Sequence, residues 1–194
     1  FAWDLHTEPP GGISAVQDRR PYYIFYQMTI EGPQVLPGTY TIEVAAPGQT
    51  LRAAVTVAMD PRNAVATTDL QAQYDALQQL ASLQERAERT IAQLDALRVK
   101  IARKKNADLS AFDAAIIAQL ERLRNAEPSG YRQPARLSEQ LAYLRTTIEQ
   151  YSGPPTQTQQ AFIKQYADQM DAVAKDVDAL LHSHAQDMQS LRGL

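Results

Sequence analysis

Two aspartates and two histidines near the end of the chain are the residues whose types come closest to a metal site. Asp178, His182, His184 and Asp187 are near one another in sequence and carry oxygen and nitrogen ligands of the kind that bind zinc. On a helix, Asp178 and His182 are one turn apart, whereas His182 and His184 lie about 200° apart and cannot join one site. We therefore interpret His184 as facing the core and His182 as partly solvated, and we predict no metal site.

A basic run marks the end of the longest predicted helix. Positive charge at a helix C-terminus is stabilised by the helix dipole, so a solvated helix end is the preferred interpretation. Contact with a phosphate group or with an acidic partner is the alternative. The run consists of Arg98, Lys100, Arg103, Lys104 and Lys105.

Four aromatic residues lie close together in the first part of the chain, namely Tyr22, Tyr23, Phe25 and Tyr26. Because aromatic faces suit sugar rings, these residues could form a carbohydrate-stacking platform. Aromatic residues are also common in sheet and interface packing. We prefer packing and keep the platform as the alternative.

The composition of the chain and its lack of certain motifs argue against several classes of function. The chain has no cysteine, which excludes disulfides, thiolate catalysis and cysteine-ligated zinc. The net charge of −3 offers no basic face for nucleic acid, and no apolar run reaches the roughly 18 residues of a membrane span. The sequence also lacks a glycine-rich phosphate loop, an HExxH motif and a GxSxG motif. We therefore predict no catalytic residue, no cofactor and no enzymatic activity.

The clearest β signal is a hairpin with strands over Thr39–Val44 and Leu51–Met59. Apolar and polar residues alternate in both strands, which is typical of a sheet with one buried face. Tyr40, Ile42 and Val44 are expected on that buried face. The proline and glycine between the strands predict a tight turn.

Residues 1–62 as a whole predict a partial Ig-like β module. Phe1–Leu5 alternates like a strand, and residues 21–30 predict either a strand or an aromatic loop. This makes three or four strands, whereas an Ig-like sandwich has about seven. We expect the missing strands upstream of Phe1, in a longer precursor, rather than on another surface.

Residues 63–194 predict an antiparallel four-helix bundle with two long and two short helices. Apolar residues recur in each helix at spacings of three and four, and short connections favour antiparallel neighbours. Thr68 and Thr156 are expected N-caps, with Gln71 and Gln159 in the capping-box position. The helices are expected over Thr68–Lys104, Leu109–Asn125, Pro134–Tyr151 and Thr156–Leu191.

The unequal helix lengths predict an uncovered region. In an up-down-up-down bundle, the start of the first helix and the end of the last would project beyond the two short helices. The projecting segments, Leu70–Leu83 and Val177–Leu191, still carry apolar stripes. We expect the β module, a missing upstream domain or a second copy to cover them.

Several segments together resemble one group of proteins. These segments are FAWDL, LPGTYTIEV, VTVAMDPR, TTDLQAQYDAL, RLSEQLAYL and GPPTQTQQAF. They look like the C-terminal region of bacterial sortilin-like BNR-repeat β-propeller proteins, often labelled putative glycosyl hydrolases. The resemblance implies upstream propellers, an Ig-like module, a helical tail and export to the periplasm or the outside of the cell. The matching motifs are structural, so no catalytic residue is carried over.

From these observations we expect a non-catalytic accessory or interaction region of a larger exported protein. Its expected partners are the upstream propellers of the same protein or a second copy in a homodimer. A carbohydrate-binding or glycosidase-associated module is the alternative.

Overall fold

The computed structural model describes residues 3–8, 32–104, 108–125 and 133–191. Within them the chain is α+β, as predicted, with a two-stranded antiparallel sheet followed by five helices. The strands are β1 (Gly38–Ala46) and β2 (Gln49–Val57), and the helices are α1 (Thr67–Arg103), α2 (Ser110–Leu123), α3 (Leu137–Glu149), α4 (Gln157–Ser183) and α5 (Ala185–Ser190).

The hairpin formed by β1 and β2 confirms the clearest β prediction. Its turn is Pro47-Gly48, and Gly48 has a φ of 84°, a conformation that glycine adopts at no steric cost. The register runs from Gly38 opposite Val57 to Ala46 opposite Gln49. The turn chemistry therefore sets the pairing of all nine residues in each strand.

The first predicted strand takes a different form. Trp3, Asp4 and Leu5 form no strand, and the described pairing in this region is one isolated antiparallel bridge between His6 and Gln34. Leu5 has a φ of 66°, which interrupts an extended strand. The strand or loop predicted over residues 21–30 lies outside the described residues.

The two predicted helix caps have different outcomes. Thr156 caps α4 through a capping box, in which its hydroxyl accepts from the Gln159 backbone N–H at 3.2 Å and the Gln159 side chain accepts from the Thr156 N–H at 2.8 Å. The N-cap of α1 is Ala66 rather than Thr68, and it makes no side-chain cap. The prediction that Thr68 is the N-cap was therefore wrong, because the helix already begins at Thr67.

The last predicted helix is broken at His184, which separates α4 from α5. The His184 ring stacks on Phe112 of α2, with ring centroids 4.6 Å apart. Its Nδ1 atom lies 2.7 Å from Asp187 Oδ2. The break thus lies at a residue that packs the end of α4 against α2.

Polar contacts show that α3 runs antiparallel to the first half of α1. Gln84 of α1 donates to the Ser138 hydroxyl at 2.8 Å near the start of α3. Gln73, earlier in α1, donates to the carbonyl of Ile148 at 2.7 Å near the end of α3.

The second half of α1 is paired with α2, which is also antiparallel to it. Arg98 bonds Asp113 at 2.8 Å, and Asp95 bonds Arg124 at 2.6 Å. A residue earlier in α1 thus contacts a residue later in α2, so the two helices run in opposite directions. Since α3 has the same direction, α2 and α3 follow one another along the same side of α1.

Helix α4 runs parallel to α1. Arg86 bonds Asp171 at 2.6 Å, and Lys104 Nζ donates to the Ser190 carbonyl at 2.5 Å. The described helices thus form three columns: α1, then α2 followed by α3, then α4 followed by α5. This arrangement differs from the up-down-up-down alternation that the sequence analysis expected.

The predicted apolar overhang is wrong for the same reason. Leu77, Leu80 and Leu83 of α1 are buried, as are Val177 and Leu191, because α3 covers the start of α1 while α2 faces the end of α4. Among the residues that the structure describes, twenty-two buried ones make one core cluster that includes all four longer helices. Its most enclosed members include Leu94, Phe112, Ile116, Leu123, Leu141, Ile148, Met170 and Val173.

The first prediction tests this coverage at Leu80, which is 1% exposed. We expect Leu80→Ala to lower the free energy of unfolding by about 2–5 kcal/mol, because it opens a cavity under α3. Val99→Ala in the same helix is the matched control, since Val99 is 51% exposed and should change stability by no more than about 0.5 kcal/mol. Urea denaturation measures both. Equal small effects would mean that α3 does not cover this part of α1.

A second prediction concerns Asp60, just after β2. Its carboxylate accepts from the Arg62 side chain at 2.5 and 2.9 Å and from the Arg62 backbone N–H at 2.9 Å, and these bonds lower the pKa of Asp60. Because the folded pKa is depressed, the stabilisation is present above the unfolded pKa of about 3.9 and is lost as pH falls through the folded pKa. A carboxyl NMR titration should show the low pKa, and Arg62→Gln should raise it. An ordinary aspartate pKa for Asp60 in the wild-type protein would contradict the hydrogen bonds that Arg62 donates to it.

Candidate functional site

One face of the hairpin carries nearly all its apolar side chains. Side chains alternate between faces along each strand, and the register places Tyr40 opposite Val55, Ile42 opposite Ala53 and Val44 opposite Leu51. The six residues therefore share one face. This is the face that the alternation in the sequence predicts.

The structure contradicts the expectation that this face is buried. Ile42, Val44 and Leu51 are 43%, 55% and 59% exposed, and Ala53 is also exposed. We call these four residues the open face. Alternation can predict that a face is apolar, but it cannot show whether a second layer covers that face.

One end of the apolar face is covered by an aromatic contact. The Trp3 ring meets the Tyr40 ring edge-on, with centroids 5.4 Å apart and an interplanar angle of 68°. The Tyr40 hydroxyl donates to the Leu36 carbonyl at 2.6 Å. The open face is thus the remaining part, towards the Pro47-Gly48 turn.

The charges of the hairpin lie on its opposite face. Glu43 and Arg52 are cross-strand partners, and the Arg52 Nε atom donates to Glu43 Oε2 at 2.7 Å. Thr39, Thr41 and Thr56 belong to this polar face by the same alternation. The open face therefore contains no charged side chain, which suits an apolar partner surface.

The histidines and aspartates near the end of the chain do not come together as one site. His182 is exposed and its Nδ1 atom is 2.8 Å from the Asp178 backbone carbonyl, whereas His184 is partly buried against Phe112. Across the described residues, no group of three or more potential ligands could hold a metal ion. The prediction that His184 faces the core and His182 is solvated is confirmed.

Some residues of the basic run make contacts with other helices of the protein. Arg98 donates a hydrogen bond to the carboxylate of Asp113 in α2, and this bond is the main cause that raises the pKa of Arg98. Lys104 donates to the last turn of α5 at Ser190. Lys100 and Arg103 lie in the last turn of α1, where the helix dipole favours them, and Lys105 lies outside the described residues.

The aromatic platform cannot be placed, because Tyr22, Tyr23, Phe25 and Tyr26 all lie outside the described residues. Phe162 of α4 is exposed, whereas its neighbour Ile163 is buried. The Phe162 ring stacks on Tyr166 at 5.9 Å. Tyr166 is partly buried, which raises its pKa.

A cavity of about 60 Å³ lies between α1 and α2, lined in part by Arg98 and Arg124. Both guanidinium groups already bind carboxylates, those of Asp113 and Asp95. Their charge is therefore balanced within the protein, and the cavity has little attraction for an anion.

A buried polar cluster was missed by the sequence analysis. Gln84 and Glu88 of α1 and Ser138 of α3 are all buried. Glu88 Oε1 accepts from Gln84 at 2.7 Å and from the Ser138 hydroxyl at 2.6 Å. The signal in the sequence was that Gln84 and Glu88 lie at helical spacing between the apolar residues Leu80 and Ile91, on the inward side of α1.

Comparison of the chain with protein-family models, with curated proteins and with solved structures finds no match. Within the described part of the chain, no helix combines the length and the apolar character needed to cross a membrane. Function is therefore inferred from the chain's own geometry, in which the open face is a contiguous exposed apolar surface.

The buried cluster generates a third prediction. Ser138→Ala should lower the free energy of unfolding by about 1–3 kcal/mol, because it removes a hydrogen-bond donor from a buried carboxylate. The triple variant Gln84→Leu/Glu88→Met/Ser138→Ala should recover most of this loss, since replacing a whole buried polar group by apolar side chains is often neutral or stabilising. Urea denaturation measures both. A triple variant less stable than Ser138→Ala would show that the cluster is a net source of stability.

Proposed function

We propose that this chain is a non-catalytic accessory and interaction region, and that the open face of the hairpin is its docking surface. The observation that carries the proposal is the exposure of Ile42, Val44 and Leu51 on a face without charge. Contiguous exposed apolar patches of this kind are typical of interaction sites.

The energetics of a two-stranded sheet support this proposal. A single hairpin is at best marginally stable in water, and a sheet of this kind needs more strands or a second packed layer. The open face amounts to roughly 300 Å² of apolar surface, and covering such surface contributes about 25 cal/mol per Å². A partner that supplies an apolar layer would therefore stabilise the hairpin and would itself be bound.

The resemblance in sequence suggests the biological setting. In this proposal the hairpin is part of an Ig-like β module in a sortilin-like BNR-repeat β-propeller protein that is exported to the periplasm or the cell exterior. In this proposal the helices form the bundle that follows that module in the chain. The docking partner is either the upstream propellers of the same protein or a second copy of this chain.

A carbohydrate-binding or glycosidase-associated module is the alternative function. It rests on the same resemblance and on the aromatic residues Tyr22, Tyr23 and Tyr26. The open face favours the interaction function instead, because its side chains are aliphatic and do not offer the flat rings on which sugars stack.

The fourth prediction tests the docking surface with a fluorescent hydrophobic dye. We expect the wild-type protein to bind the dye and Val44→Thr/Leu51→Thr to bind clearly less, because threonine keeps the strand propensity and removes apolar area. The control Thr41→Ser/Thr50→Ser alters the opposite face by a similar number of substitutions and should leave dye binding unchanged. Absence of dye binding by the wild-type protein would count decisively against an exposed docking surface.

A further inference from the structure

We infer that the contact surface between α1 and α3 makes α3 the opening helix of the bundle. In this conformational change α3 separates from α1 while α1, α2 and α4 remain packed on one another. The surface contains four buried polar or charged residues, and we call it the polar seam: Gln84 and Glu88 of α1 and Ser138 and Arg145 of α3. The opening of α3 does not depend on whether the open face of the hairpin binds a partner.

The position of the buried polar side chains is the first argument. Among the residues that the structure describes, the polar seam contains all four polar or charged residues that are buried. Ser138 bonds both Gln84 and Glu88. Arg145 follows Ser138 by about two helical turns, so both residues lie on the same side of α3. Gln73 of α1 donates to backbone carbonyls at the end of α3, and the contact is therefore polar along the whole of this helix.

The other short helix provides the comparison. Helix α2, which the structure describes throughout, buries four large apolar side chains and no polar one. Helix α3 also buries four large apolar side chains, and it buries Ser138 and Arg145 in addition. The two helices have 14 and 13 residues. Since their lengths and their large apolar side chains are matched, the polar seam is the main difference between them.

The energetics of burial give this difference a direction. The carboxylate of Glu88 and the guanidinium of Arg145 lose hydration when α3 packs on α1, and bonds within a protein often recover only part of such a loss. When α3 separates, water can bond to both groups again. Opening should therefore cost less free energy than the separation of an apolar surface of the same size.

Opening of α3 would expose a part of α1 that the closed bundle covers. Leu77, Leu80 and Leu83 are buried, and α3 packs along this part of α1. Elements of low local stability are the ones that move in conformational switches. Helix α3 is thus placed as a cover whose position controls access to the apolar start of α1.

The fifth prediction is tested by amide hydrogen exchange of the native protein, measured by NMR. We expect protection factors for residues 141–148 of α3 that are about tenfold or more below those for residues 116–123 of α2. The physical reason is that α3 exchanges through a local opening, whereas α2 stays packed until a larger part of the bundle unfolds.

Variants of the polar seam test its role in the opening. The triple variant Gln84→Leu/Glu88→Met/Ser138→Ala should raise the protection factors of residues 141–148 towards those of α2, because it makes the contact surface apolar. The matched control is Arg98→Met/Asp113→Leu, which removes the ion pair between α1 and α2 and should not raise the values of α3.

The outcomes separate the alternatives. Low protection of α3 that the triple variant raises and the control does not raise supports the inference. Equal protection of α2 and α3 in the wild-type protein overturns it, and so does low protection of α3 that the triple variant leaves low. If the triple variant did not fold, Arg145→Met would replace it with the same expected rise, since it removes a buried charge from the same seam.

Discussion

The need to cover α1 along its whole length governs the helical part of the molecule. This helix has 37 residues and buries apolar side chains from Leu77 to Leu97, and a helix of this kind depends on tertiary packing for most of its stability. One short helix cannot cover such a length. Two short helices placed one after the other do so, with 14 and 13 residues, and the column of α4 and α5 covers the other side.

Polar contacts then decide which short helix covers which part of α1. The apolar stripes of α2 and α3 both recur at steps of three and four residues, so their periodicity alone does not assign either helix to one part of α1. The contacts of Ser138 with Gln84 and of Asp113 with Arg98 are specific to one position each. A buried polar group costs stability compared with a well-packed apolar one, and a defined arrangement of elements is its best-attested benefit. We therefore interpret the cluster around Glu88 as a determinant of register.

The hairpin and the helices differ in how completely their apolar surface is used. The helices share one buried core, whereas the hairpin presents Ile42, Val44 and Leu51 to solvent among the described residues. Hydrophobic burial is the main favourable term in folding and in association alike. A surface that folding leaves uncovered is available for association, and for this reason we propose the hairpin as the docking surface.

Local patterns in the sequence determined the α+β class, the hairpin with its Pro47-Gly48 turn, the capping box at Thr156 and the approximate extent of the helices. These features depend on neighbouring residues, such as the glycine that adopts a positive φ. The order of the helices in space, the cover over Leu80 and the exposure of the open face were decided only by the tertiary structure. Periodicity shows which side of an element is apolar, but several partners can satisfy that side equally well. The choice depends on contacts between residues far apart in the chain, which a local pattern does not contain.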